Sequence, residues 1–225
     1  MIYFDNITKF YSGHAALADV TLGIESGEFV SIVGKSGAGK TTLLRLLLAE
    51  ERPTSGAVFF ESTNVHRIRQ EYIPEYRRRI GTVFQDFRLL PNKTAYENIA
   101  FAMEAAGRTD EEIRSDVPQV LDLVDLASKA PHFPHELSGG EKQRVAIARA
   151  IISQPDVLIA DEPTGNLDPT NTYDIIQILK KIHDMGTTVI LTTHNKGIID
   201  SLKRRVVTME DGKVIRDDAE GKYIL

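Results

Sequence analysis

The chain has 225 residues, 42% hydrophobic and 26% charged, a composition that suits one globular core or a core with a subdomain set into it. Its formal net charge of −5 provides no global positive field for nucleic acid, and the runs Arg77-Arg78-Arg79 and Lys203-Arg204-Arg205 read as solvated faces or partner contacts. With no cysteine, a disulfide framework and a thiolate metal site are excluded, and no run approaches the roughly 20 apolar residues of a membrane helix.

In chain order, Met1–Asp5 lacks the basic start and apolar run of a signal peptide. Residues 2–25 alternate apolar and polar and predict antiparallel strands, interrupted by a turn at Phe10-Tyr11-Ser12-Gly13. Glu28–Val33 reads as a buried strand and Thr42–Leu48 as a helix. Between them, Gly34-Lys35-Ser36-Gly37-Ala38-Gly39-Lys40-Thr41 fits G-x-x-x-x-G-K-[ST], a phosphate-binding loop in its proper strand-to-helix setting. Backbone N–H groups there can form a nest for phosphate oxygens, reinforced by the helix dipole. Lys40 adds a charge for the β- and γ-phosphates, and Thr41 offers a hydroxyl to Mg²⁺.

Further on, Ala57–Phe60 and Ile80–Phe84 predict strands, with a short helix from Pro74 to Arg79 between them. From Thr94 to Ala106 the period is helical and Gly107 stops it; Thr109-x-x-Glu112 is a capping box opening a second helix towards Leu126, which Pro118 is expected to kink or split. Leu137-Ser138-Gly139-Gly140-Glu141 precedes a helical run over 142–152. Ser138 and Glu141 form a capping box, which explains those two positions but not the glycines; close approach of an anion to exposed N–H groups explains these. Val157–Ala160 is a central strand ending on Asp161-Glu162, where open α/β sheets bind ligands. Asp161 suits a hard cation's shell, and Glu162 can accept a proton from, or orient, the water that attacks the γ-phosphate. Asp168 caps a helix with Pro169 at its first position and Gly186 at its end; residues 187–192 form a strand just before His194, and 206–215 a hairpin on Asp211-Gly212.

These motifs occur in the order of an ABC-type ATPase, and the chain resembles that family over nearly its whole length. The resemblance implies a P-loop NTPase (RecA-like) α/β core with an N-terminal antiparallel β subdomain and an inserted α-helical subdomain, in one domain: 1–86 and 154–225 as core, 87–153 as helical insert. It implies ATP and Mg²⁺ as ligands, with Tyr11 stacking on adenine and Gly34, Lys35, Ser36, Gly37, Ala38, Gly39, Lys40, Thr41 and Thr42 holding phosphates. Thr41, Gln85 and Asp161 would serve the metal, and Glu162, Gln85 and His194 the hydrolysis. Ser138, Gly139 and Gly140 would contact the γ-phosphate bound by a second copy, with Asp168 in the Gly165–Asp168 loop at the dimer interface. Glu141 departs from the Gln that is usual there.

Residues 78–98 and the tail from Thr193 to Asp217 resemble the cell-division branch of the family. That branch implies an FtsX-like integral membrane partner docking near Phe87–Lys93, an ATP-dependent homodimer at the cytoplasmic face of the membrane, an indirect link to peptidoglycan hydrolases, and no nucleic acid. ATPases serving lipoprotein-release or macrolide-export permeases share the Leu137–Glu141 and Gly165–Asp168 segments. DNA-repair or chromosome-structure ATPases share the head motifs but usually carry a coiled-coil or zinc-binding insertion, which this compact, cysteine-free chain lacks.

Overall fold

The computed structural model describes residues 1–219 and Gly221. In chain order it has β1 (Ile2–Tyr11), β2 (His14–Ile24), β3 (Phe29–Val33), α1 (Lys40–Leu47), β4 (Ser55–Phe60), β5 (Thr63–Asn64), α2 (Ile73–Arg78), β6 (Ile80–Phe84), α3 (Ala95–Ala105), α4 (Asp110–Leu123), α5 (Gly139–Ile151), β7 (Val157–Asp161), α6 (Pro169–Asp184), β8 (Thr188–Thr193), α7 (Lys196–Leu202), β9 (Arg205–Glu210) and β10 (Lys213–Asp218). These fall into two compact units, residues 1–77 with 188 onward, and residues 78–187.

In the first unit, β2, β1, β4 and β5 form an antiparallel sheet in that order. Ile2 and Phe4 alternate into the core, but Ile7 is three positions beyond Phe4 and yet fully buried. A shift of register between Phe4 and Ile7, with Asn6 left-handed at φ 47°, accounts for this: the extra residue returns Ile7 to the buried face. The unit's second sheet is built on β3, buried at every position, which lies between β8 and β9 and parallel to both. β10 returns antiparallel to β9 across the Asp211-Gly212 turn.

The basic runs are not simply solvated. Arg205 makes paired hydrogen bonds to the Asp217 carboxylate, both at 2.7 Å, and donates to Glu28 at 3.0 Å and to the Gly23 carbonyl at 2.9 Å. Arg77 donates to the carbonyls of Leu48 and Ala49 at 2.9 and 3.2 Å.

In the second unit, β6 and β7 pair in parallel from Ile80–Val157 to Phe84–Asp161. α5 packs against β6, α3, α4 and α6. It approaches β6 so closely that a Cβ on Gly81 would lie 2.4 Å from the Ala150 carbonyl oxygen. Thr94, Thr109 and Ser138 each cap their helix in a complete capping box with Glu97, Glu112 and Glu141. Two expectations change. Pro118 does not split α4, because Ile113, Val117 and Leu121 bury one face across the lost hydrogen bond while Pro118 faces outward. α5 starts at Gly139 rather than Lys142, so both glycines of Leu137–Glu141 belong to its first turn.

Candidate functional site

The expected site residues divide between the units. Tyr11, Gly34–Thr41, Thr42 and His194 lie in the first, and Gln85, Ser138, Gly139, Gly140, Asp161, Glu162 and Asp168 in the second.

In the first unit, Val33 and Thr193 are register partners at the ends of parallel β3 and β8. Gly34 and His194 are therefore the first residues beyond two paired strand ends, the place where parallel α/β sheets present ligand-binding loops. The loop from Gly34 depends on its glycines. Gly39, at φ 100°, caps α1, and a Cβ there would lie 2.6 Å from the Ala16 carbonyl oxygen; one on Gly34 would lie 2.3 Å from that of Met209. Lys40 is 7% exposed, with Nζ donating to the carbonyls of Gly34 at 2.7 Å and Lys35 at 3.1 Å. The lysine thus folds back onto the first two carbonyls of its own loop. Lys35, Ser36, Gly37 and Thr41 are exposed, whereas Ala38 is buried.

Tyr11 ends β1 and is 38% exposed. Its hydroxyl donates to Glu51 Oε2 and meets the Thr42 hydroxyl. Burial first, then the Glu51 carboxylate, push the phenol above its ordinary value. At Glu51, burial pushes the carboxyl up, but the hydrogen bonds from Tyr11 and Lys9 and the charges of Lys9 and Arg45 outweigh it and hold the group below the usual range.

In the second unit, Phe84 and Asp161 are register partners at the ends of β6 and β7, so Gln85 and Glu162 each follow a paired strand end. Glu162 takes a left-handed backbone at φ 50°, and its carbonyl accepts from the Gly165 amide at 3.1 Å. A left-handed non-glycine residue costs of order 1–3 kcal/mol and persists where its surroundings over-determine it. Gln85 Nε2 donates to Asn166 Oδ1 at 3.2 Å, and Asn166 Nδ2 to the Gln85 carbonyl at 3.4 Å.

Ser138 Oγ accepts from the Glu141 amide at 3.2 Å, while Glu141 Oε2 accepts from the Ser138 amide at 2.7 Å and Oε1 lies 3.2 Å from Lys129. The Ser138 backbone hydrogen bond is the first cause holding Glu141 below its ordinary value. Asp168 Oδ1 accepts from the amides of Thr170 and Asn171, and Oδ2 from Asn171 Nδ2, so its carboxylate is engaged in capping α6. Asn171 in turn occupies the space beside Gly140, where a Cβ would fall 1.8 Å from Asn171 Oδ1.

Glu51, Arg149 and Asn171 escape the reading of the sequence, and Asn166 enters it only as part of the Gly165–Asp168 loop, without its pairing to Gln85. Each acts through a partner distant in sequence or through a side chain outside any motif, and no local spacing marks them.

Residues 17–165 match the family described as ABC transporter. The chain belongs to this family, as an ATP-binding and ATP-hydrolysing domain with the P-loop NTPase fold. Among its relatives, the cell division ATP-binding protein FtsE of Mycobacterium tuberculosis is 50% identical, over 99% of this chain and 98% of that one. FtsE of Bacillus subtilis is 48% identical over 99% of this chain and 98% of its own length. Among solved structures, the dimeric ATP-binding cassette MJ0796, bound to ADP and Pi in a post-hydrolysis state, superposes with a TM-score of 0.88 at 36% identity, covering 99% of this chain and all of that one.

Proposed function

We propose that the chain is the ATP-hydrolysing subunit of a membrane complex in cell division. It closes as an ATP-dependent homodimer under an FtsX-like integral membrane protein, which passes the motion on to peptidoglycan hydrolysis. The observation that carries this reading is the near-full-length identity to proteins named for ATP binding in cell division. In this reading the partner holds the chain at the cytoplasmic face of the membrane; among the described residues no helix is long and apolar enough to cross a membrane.

In this reading Tyr11 stacks on adenine, and Gly34–Thr42 with the Lys40 ammonium hold the phosphates. The donors assigned to Mg²⁺ are the Thr41 hydroxyl, the Gln85 amide oxygen and the Asp161 carboxylate, a set of hard oxygens that suits this cation. The Gln85 amide fits the role, since its nitrogen is turned to Asn166. When bound, Mg²⁺ neutralises charge on the phosphate oxygens. Glu162 orients the attacking water and accepts its proton, and His194 faces the γ-phosphate. Ser138, Gly139 and Gly140 meet the γ-phosphate held by a second copy, with Asp168 at the interface between the copies.

The test is Glu162→Gln. ATP binding is expected to persist, turnover to fall by about 10²–10⁴-fold as for loss of a general base, and an ATP-bound dimer to accumulate in light scattering. Turnover at the wild-type rate would refute the role of Glu162. Co-purification from detergent extracts tests the partner: recovery with an export or lipoprotein-release permease instead of an FtsX-like protein would replace the division reading with a transport one.

A further inference from the structure

The proposed function leaves unused a compact charged cluster in the first unit. Glu51 follows α1 in a turn where the amides of Glu50 and Glu51 both donate to the Arg45 carbonyl, at 3.0 and 3.4 Å. Its carboxylate meets three side chains from two elements. Oε2 accepts the Tyr11 hydroxyl and lies 3.2 Å from Lys9 Nζ, and Oε1 lies 3.5 Å from Arg45 on α1. Lys9 stands two residues before Tyr11, on the same face of β1. Its ammonium also donates to the Arg52 carbonyl at 2.8 Å and sits 5.0 Å from the centroid of the Tyr11 ring.

An ionised carboxylate only accepts hydrogen bonds, so the Tyr11 hydroxyl must donate to it. A phenol ring anchored at its Cα and tethered at its hydroxyl has its plane set before anything stacks on it. Ordering a rotamer-rich side chain at an interface costs about 0.5–1.5 kcal/mol, and a ring already ordered avoids that cost on binding. We propose that Glu51 is the positioning residue for Tyr11. It holds the ring in one orientation for the nucleobase and, through Arg45 and the turn after α1, ties that ring to the helix that carries the phosphate loop. This rests on the reading of Tyr11 as the base-stacking aromatic.

The test compares equilibrium titrations of the full chain with ATP and with inorganic tripolyphosphate, which shares the phosphates but has no base. Glu51→Ala and Tyr11→Phe are each expected to weaken ATP binding about three- to tenfold. Neither is expected to change tripolyphosphate binding, and the double variant should be no weaker than the worse single. Glu51→Gln, which keeps an acceptor oxygen, should restore most of the ATP affinity. Equal loss for both ligands would mean general damage to the unit and overturn the proposal, as would full additivity in the double variant or unchanged ATP affinity in Glu51→Ala. Tyr11→Ala separates the two layers: unchanged ATP binding there removes the stacking role itself. A loss in Tyr11→Ala without one in Glu51→Ala removes only the positioning role.

Discussion

Gln85 and Asn166 hold each other by two hydrogen bonds, 3.2 Å from side chain to side chain and 3.4 Å from side chain to backbone. They belong to loops 81 residues apart in sequence. Gly165, next to Asn166, is packed on the same glutamine: a Cβ there would lie 2.7 Å from Gln85 Nε2 and 2.9 Å from Cδ. The amide of Gln85 is thereby oriented, nitrogen towards Asn166. Removing that partner with Asn166→Ala frees the amide to rotate. Steady-state kinetics should show kcat reduced about three- to tenfold, the scale of one neutral hydrogen bond, with the KM for ATP within about twofold. A change confined to KM would contradict this orientation.

Arg149 clamps the segment that follows. Phe87 and Arg88 are consecutive left-handed residues, at φ 58° and 49°, and Arg149 on α5 donates to both of their carbonyls, at 3.1 and 2.7 Å. Burial alone draws the guanidinium below its ordinary value. Arg149→Met keeps much of the apolar stem but leaves both carbonyls without this donor. A loss of about 2 kcal/mol is expected for hydrogen bonds to a charged group, or about 4–8 °C in Tm for a chain of this size. Thermal unfolding with and without ATP measures it; an unchanged Tm would show that the loop holds its conformation without the clamp.

Much of this was legible in the sequence where chemistry is local. The glycines and lysine of residues 34–41, the Asp168-Pro169 cap and the Asp211-Gly212 turn are set by short-range geometry and stand where spacing puts them. What was not legible depends on tertiary packing. The bulge at Asn6 exists because Ile7 must be buried. α4 runs through Pro118 because its buried face outweighs one lost hydrogen bond. α7 is seven residues long, too short for a helical period to stand out. The pairings of Tyr11 with Glu51 and of Arg149 with Phe87 and Arg88 span 40 and about 60 residues, so no motif could announce them.

Acid should act on the second unit through its capping boxes. Glu97, Glu112 and Glu141 are all held below the ordinary value of 4.5, first by the backbone amides of Thr94, Thr109 and Ser138. A depressed carboxyl contributes stability above its unfolded value and loses it as pH falls through the folded one. Stability should therefore decline below about pH 4.5. Glu141→Gln keeps the capping geometry but removes this charge and its contact with Lys129. Urea midpoints should be slightly lower than wild type at pH 7, and the gap should close as falling pH protonates Glu141 in the folded wild type; an offset that stays constant down to acid unfolding would rule out the linkage.

The two glycines that open α5 are there for different reasons, and alanine substitutions can separate them. At Gly140 a Cβ would overlap Asn171, 1.8 Å from Oδ1 and 2.4 Å from Cγ, and would force that side chain off Asp168. Gly140→Ala should cost about 1–3 kcal/mol, as overpacking does, and Asn171→Ala in the same chain should recover part of it. At Gly139 the nearest atom is Leu167 Cδ2 at 3.4 Å, close but at the end of a flexible side chain. Gly139→Ala should leave stability unchanged or raise it by up to about 1 kcal/mol, the helix propensity of alanine over glycine. If Gly139 is reserved for a phosphate of a second copy, that same variant should lose ATP turnover while its Tm holds. Full activity with a retained Tm would leave Gly139 without a role in the reaction.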